Sequence, residues 1–161
     1  MAVFPDKPRI MVFENFAEFK QHEGKDLPPT EWITVTQDMI NAFADATLDF
    51  QWIHVDVDRA KKESPFGGPI AHGFMSVSLL SKFVESSVTI KSAKMGVNYG
   101  LDKIRFPHPV PAGCRLRAHI NVAKVEDYPN NGVKTFWQSK IEIEGVDKPA
   151  CIATFISLAF E

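Results

Sequence analysis

Gly73-Phe74-Met75-Ser76-Val77-Ser78-Leu79-Leu80-Ser81-Lys82-Phe83-Val84-Glu85-Ser86 puts Phe74, Met75, Val77, Leu79, Leu80, Phe83 and Val84 on most faces of one helix. A helix that is apolar nearly all round is buried. It follows a stretch that must be a loop, Ser64-Pro65-Phe66-Gly67-Gly68-Pro69, because closely spaced glycines and prolines break both regular structures. Beyond it the pattern changes. Ala93 to Tyr99, Lys103 to Phe106, Arg115 to Glu126, Val133 to Ile143 and Ala150 to Phe160 read as strands, with Asn130-Asn131-Gly132 and Glu144-Gly145 as turns. One long buried helix followed by a run of antiparallel strands predicts an α+β domain whose curved sheet wraps around that helix.

Upstream, Glu14 to Glu23 carries Phe16, Ala17 and Phe19 between charged residues and suits a short amphipathic helix. Gly24 is its stop, and Pro28-Pro29 keep the next stretch extended. Trp32 to Thr36 reads as a strand. Thr36 then caps a helix with Asp38 in its first turn and an apolar stripe of Met39, Ile40, Phe43 and Ala44. The periodicity breaks from Ala46 to Trp52, and Asp56 caps a second short helix through Arg59, Ala60, Lys61 and Lys62.

The chain has 161 residues and 45% hydrophobic content, enough to bury a sizeable core as one domain spanning 1–161. With 18 basic against 20 acidic residues, composition gives no footprint for nucleic acid or an acidic membrane surface. Met1 to Phe13 holds Pro5, Asp6, Lys7, Pro8 and Arg9 and lacks the apolar core of a secretory signal. No apolar run is long enough to span a bilayer, so the expectation is a soluble cytoplasmic protein. The two cysteines, Cys114 and Cys151, fall near or within strand segments without a Cys-x-x-Cys pair and read as reduced core thiols.

The chemistry gathers upstream of the long helix. Asp49-Phe50-Gln51-Trp52-Ile53-His54 sets a carboxylate and an imidazole on one short irregular segment, and Pro69-Ile70-Ala71-His72-Gly73-Phe74-Met75 supplies a glycine at a helix start. Backbone amides there can hold a developing negative charge. Asp49 and His54 are residue types suited to taking a proton from water and returning one to carbon.

Asp49, Ile53 and His54 match in register the signature of the MaoC-type dehydratases, which include the (R)-specific enoyl-CoA hydratases and have the hot-dog fold. Gln51 stands where asparagine is usual and Trp52 where proline is usual. The longer string resembles the branch related to nodulation protein N. It runs from Phe43-Ala44-Asp45-Ala46-Thr47 through Val55-Asp56, Arg59-Ala60, Pro65-Phe66-Gly67 and Ile70-Ala71-His72-Gly73-Phe74 to Asn98-Tyr99-Gly100-Leu101-Asp102-Lys103-Ile104-Arg105-Phe106, Pro109-Val110-Pro111 and Gly113.

The resemblance implies a water held between Asp49 and His54, the Gly73 N–H as oxyanion donor, and a 2-enoyl or 3-hydroxyacyl thioester of coenzyme A as substrate. It also implies a homodimer whose two sheets join edge to edge, with the active site near the subunit interface. Which of the pair moves which proton stays open. Gln51 is a candidate to orient Asp49 or the water, and Ser81 a looser match to a small hydroxyl near the dyad.

Each residue also has a plainer reading. Taken singly, Asp49 is a loop carboxylate and His54 a structural histidine; their place in the combined string gives them a function. His72 reads as a histidine buried at a helix start and bonded to backbone, although it could touch the thioester. His108 reads as a loop residue, His22 and His119 as exposed or edge residues. The histidine spacing supports no metal site, and no phosphate-cradling glycine pattern indicates a bound cofactor. Lys103 and Arg105 are candidates for the coenzyme A phosphates, or else members of a solvated strand face. An acyl-CoA thioesterase and a non-catalytic acyl-thioester binding protein are the alternatives.

Overall fold

The computed structural model describes residues 10–161; the proline and charge pattern at Pro5 to Arg9 lies outside them. The chain enters through a short strand, β1 (Met11–Phe13), and α1 (Phe16–Lys20). The Asn15 side chain accepts from the Glu18 N–H at 3.0 Å, which starts the helix where an orphan donor needs a partner. Gly24 ends the following turn in the left-handed region, φ 78. After the two-residue β2 (Ile33–Thr34) comes α2 (Gln37–Thr47). Thr36 caps it as the sequence predicts, accepting from Met39 N–H at 3.2 Å. Two shorter helices follow, α3 (Trp52–Val55) and α4 (Val57–Glu63), the second capped by Asp56, which accepts from Arg59 N–H at 3.0 Å.

The stretch from Gly73 to Ser86 forms two successive helices, α5 (Gly73–Ser78) and α6 (Leu80–Glu85), rather than one. Leu79 between them keeps near-helical angles, φ −73 and ψ −12. Its N–H is shared between the Met75 and Ser76 carbonyls, each at 3.3 Å, and Ser78 Oγ donates to the Phe74 carbonyl at 2.7 Å. Such a back-bond competes with regular helical bonding and bends the axis. Met75, Val77, Leu80 and Phe83 are buried as expected. Phe74 is not: its side chain is 69% exposed.

Then come β3 (Val88–Ile90), β4 (Met95–Arg105), β5 (Arg115–Tyr128), β6 (Gly132–Ile143) and β7 (Cys151–Phe160). The main sheet has the order β2-β5-β6-β7-β4, antiparallel throughout. Alternation along β5 buries Leu116, Ala118, Ile120 and Val122 against the same core that holds Met75, Leu80, Phe83, Trp137 and Phe155, so the inner face of the sheet packs on α5 and α6. β1 and β3 pair in parallel as a separate ribbon; neither is evident in the sequence, because three-residue strands show no usable period.

The segments expected at Ala93 to Tyr99 and Lys103 to Phe106 are one strand. Two bulges interrupt its register, between Asn98 and Gly100 and between Asp102 and Arg105, with Lys103 in the left-handed region at φ 54. Gly100 and the bulges make this single strand read as two. Asn130 and Asn131 both take positive φ in the β5–β6 turn, a conformation asparagine tolerates. Cys151 lies in β7 and Cys114 just ahead of β5, both as free thiols. Burial pushes the Cys151 thiol up to about 11. Among the described residues no helix is long and apolar enough to cross a membrane.

Candidate active site

The site is assembled by main-chain stitching between distant segments. Leu48 ends α2 in the left-handed conformation, φ 61, which turns the chain sharply into Asp49. Gln51 N–H then donates to Asp49 Oδ1 at 3.3 Å. The residue expected to orient the aspartate therefore does so through its backbone, while its side chain is exposed. His54 sits on α3, whose position is fixed from two sides: Gln37 Nε2 donates to the His54 carbonyl at 2.7 Å, and Ile70 N–H donates to the Ile53 carbonyl at 3.0 Å. Ala71 N–H in turn donates to the Val110 carbonyl at 2.8 Å, so His72 and Gly73 are held next to the segment that carries Ile53 and His54.

His54 is 7% exposed, and its Nδ1 lies 2.7 Å from the Ile70 carbonyl. A carbonyl only accepts, so the proton is on Nδ1 and Nε2 presents a lone pair. Burial is the largest influence on its pKa and lowers it; the Ile70 bond raises it, the neighbouring His72 lowers it further, and the Asp49 charge raises it, leaving the net direction downward. The result is a neutral imidazole with an acceptor nitrogen, the state a general base needs. Asp49 is half-exposed, its side chain 51% accessible, and is open to solvent or substrate.

One ligand atom each from Asp49, His54 and His72 lie within 4.8 Å of one another. His72 is 2% exposed and stacks on His54 with ring centroids 3.8 Å apart. Its Nε2 lies 3.0 Å from the Asp49 carbonyl. This is the backbone-bonded histidine at a helix start that the sequence suggests, and the three-residue cluster is one that the sequence spacing hides. Two of the four ring nitrogens are engaged by main-chain carbonyls, His72 Nε2 by that of Asp49 and His54 Nδ1 by that of Ile70.

Gly73 is the first residue of α5, with His72 as its cap; its N–H has no acceptor within the helix. The Phe106 ring lies against it, so closely that a β-carbon at residue 73 would meet Phe106 Cδ2 at 2.9 Å. Leu48, Phe50, Phe66, Phe74 and Phe106 are exposed, and the Phe74 ring meets that of Phe106 at 6.1 Å between centroids.

Over its residues 18–142 the chain matches the family described as MaoC like domain. The chain belongs to the MaoC-like family. It is 46% identical over 147 residues to 3-hydroxyacyl-thioester dehydratase Z of Mycobacterium tuberculosis (strain ATCC 25618 / H37Rv), covering 91% of this chain and 97% of that protein. To Nodulation protein N of Rhizobium leguminosarum bv. viciae it is 42% identical over 145 residues, 89% of this chain and 90% of the relative. Among solved structures, the fold resembles that of R-hydratase PhaJ1 from Pseudomonas aeruginosa in its unliganded form, with TM-score 0.71, 21% identity and coverage of 92% and 87% of the two chains. The protein is thus a hydratase or dehydratase of the MaoC type, and its sheet wrapped around a helix is the MaoC-like hot-dog fold.

Of the residues singled out in sequence, Asp49, His54, His72 and Gly73 come together. Ser81 lies on α6 and donates to Asn98 Oδ1 of β4 at 3.1 Å, so its observed partner belongs to the edge strand rather than the dyad. Lys103 lines a groove of about 570 Å³ with His119, Lys140 and Ile152, on the face of the sheet opposite the core. Arg105 is exposed and its guanidinium donates to the Ile104 carbonyl at 2.7 Å. Trp52 stacks beneath Arg59 at 4.3 Å. His119 pairs with Glu142 at 2.6 Å, and His108 lies in a loop. Sequence reading misses Gln37 and Phe106, and also the Ile70 carbonyl, a main-chain contact that no residue type announces.

Proposed function

We propose that the protein hydrates trans-2-enoyl-CoA to (R)-3-hydroxyacyl-CoA, or runs the reverse dehydration, with Asp49 and His54 holding the reacting water. The observation that carries this is the His54 Nδ1 bond to Ile70, which leaves Nε2 as the acceptor of a ring that has a nitrogen within 4.8 Å of an Asp49 carboxylate oxygen. Water gives a proton to the dyad as its oxygen bonds to C3 of the substrate. The C2–C3 π electrons move toward the thioester oxygen, and the Gly73 N–H meets the charge that develops there. A proton from the dyad then reaches C2, so one water is added and the dyad ends as it began. Lys103 and Arg105 are the β4 cations offered to the coenzyme A phosphates.

The working unit in this reading is a cytoplasmic homodimer joined through β4. Among the described residues that strand pairs with β7 on one side only, and it exposes Met95, Val97, Tyr99 and Leu101. An unpaired edge this long invites a second strand, and a symmetric pair closes it.

The test is hydration of crotonyl-, hexenoyl- and decenoyl-CoA, followed by the enoyl absorbance with chiral analysis of the product. Asp49→Asn and His54→Ala are expected to abolish turnover and leave the fold intact. Wild-type turnover in either variant, an (S)-product, or release of free thiol without hydration would each overturn the reading.

A further inference from the structure

His72 touches every part of the site, yet the reaction above gives it no step. Its ring lies between Phe43, at 5.0 Å, and His54, at 3.8 Å between centroids and 25° between planes. Its Nε2 reaches the Asp49 carbonyl at 3.0 Å, and the Asp49 carboxylate is 3.9 Å away. Its own carbonyl accepts the Met75 N–H at 3.0 Å and begins the helix that Gly73 opens. Its Nδ1 is buried with no hydrogen-bond partner among the described residues.

We propose that His72 is the positioning residue of the dyad: it pins the Asp49 loop through that residue's main-chain carbonyl and backs the His54 imidazole face to face, keeping Nε2 of His54 an acceptor. This rests on the hydratase reading of the same site. The carbonyl of Asp49 accepts, so Nε2 of His72 carries a proton and donates it. A cation forming on His54 would lie directly against this ring. The titratable groups acting on His54 are Asp49 and His72, of opposite effect; its other contacts, the Ile70 carbonyl and the Gln37 amide, are neutral. Positioning of this kind matters because a small displacement of a reacting group can cost on the order of 10²-fold in rate.

Two variants separate the two duties. His72→Gln keeps an amide donor where Nε2 stands and removes the ring; His72→Phe keeps a ring and removes the donor. In His72→Phe, kcat on crotonyl-CoA is expected to fall on the order of 10²-fold with KM little changed, and His72→Gln is expected to recover most of that loss. In His72→Gln the acid limb of the pH profile moves to higher pH, since the ring that helps to bury His54 is gone. Equal losses in the two variants with an unmoved acid limb would reduce His72 to packing and overturn the proposal.

Nitrogen-15 histidine spectra make the result independent of turnover. If the wild-type protein hydrates no enoyl thioester, the hydratase reading fails, while an upward move of the His54 titration in His72→Gln still upholds the positioning role and an unmoved one overturns it. If neither variant folds, the wild-type spectrum decides: Nε2–H at His72 with Nδ1–H at His54 supports the arrangement, and the opposite tautomer at either ring overturns it.

Discussion

The ring of Phe106 lies so close over Gly73 that a β-carbon at residue 73 would sit 2.9 Å from Cδ2 and 3.1 Å from Cε2. Two reasons for glycine coincide here: room for a ring and an open approach to a free N–H. Gly73→Ala is expected to cost ~1–3 kcal/mol of stability through overpacking and on the order of 10²–10³ in turnover through loss of the amide approach. Phe106 is partly exposed, so Phe106→Ala in the same chain should restore stability without restoring turnover. Denaturant midpoints and crotonyl-CoA kinetics on the single and double variants check this. Full recovery of turnover in the double variant would mean that Gly73 serves only the packing of Phe106.

Because the folded protein holds the His54 imidazole below its usual range, chiefly by burial, the acid limb of kcat/KM is expected below the ordinary histidine value of ~6.5. The same shift links to stability. A depressed pKa in the fold means that the unfolded chain binds the proton first, so stability is full above the unfolded value and is lost as pH falls through the folded one. Urea midpoints measured across this window should decline in the wild type, and His54→Gln should remove that part of the decline.

The caps, the helical character of Gly73 to Glu85, though not its division at Leu79, and the β5–β6 turn were legible because each rests on local chemistry. Thr36 and Asp56 bond their own first turns, and Asn130 with Asn131 supplies the left-handed backbone of a tight turn. What escaped depends on distant groups. Phe74 belongs to the apolar stripe by spacing, yet it is exposed and meets Phe106 at 6.1 Å. The Asp49, His54, His72 cluster requires Ile70 and Ala71 to be stitched to Ile53 and Val110, and main-chain pairing of that sort leaves no mark on residue identity. Gln51 shows the same limit, acting through an N–H that any residue but proline would supply.

Trp52 occupies the place where proline is usual in the family, and the structure shows why the exchange is tolerated. It is the first residue of α3, a position that proline accepts, and Gln51 before it has φ −55 and ψ 133, the extended backbone that a following proline requires. The indole lies under Arg59. Trp52→Pro should therefore lose ~0.5–1 kcal/mol of cation–π contact and regain ~0.4–1 kcal/mol from a stiffer unfolded chain. Thermal midpoint and kcat close to wild type are the expected outcome. A large fall in kcat with an unchanged midpoint would place the indole in the reaction.

β4 offers the last test, because Phe106 directly follows the strand and rests on Gly73. Leu101→Lys puts a charge on an exposed apolar position of that edge, and an edge lysine opposes strand addition. Sedimentation should show the wild type as a dimer and the variant shifted toward monomer, while circular dichroism stays native. Turnover should fall with the dimer fraction and recover at high protein concentration by mass action. A variant that remains dimeric would move the interface away from β4, and a fully active monomer would show that one copy completes the site alone.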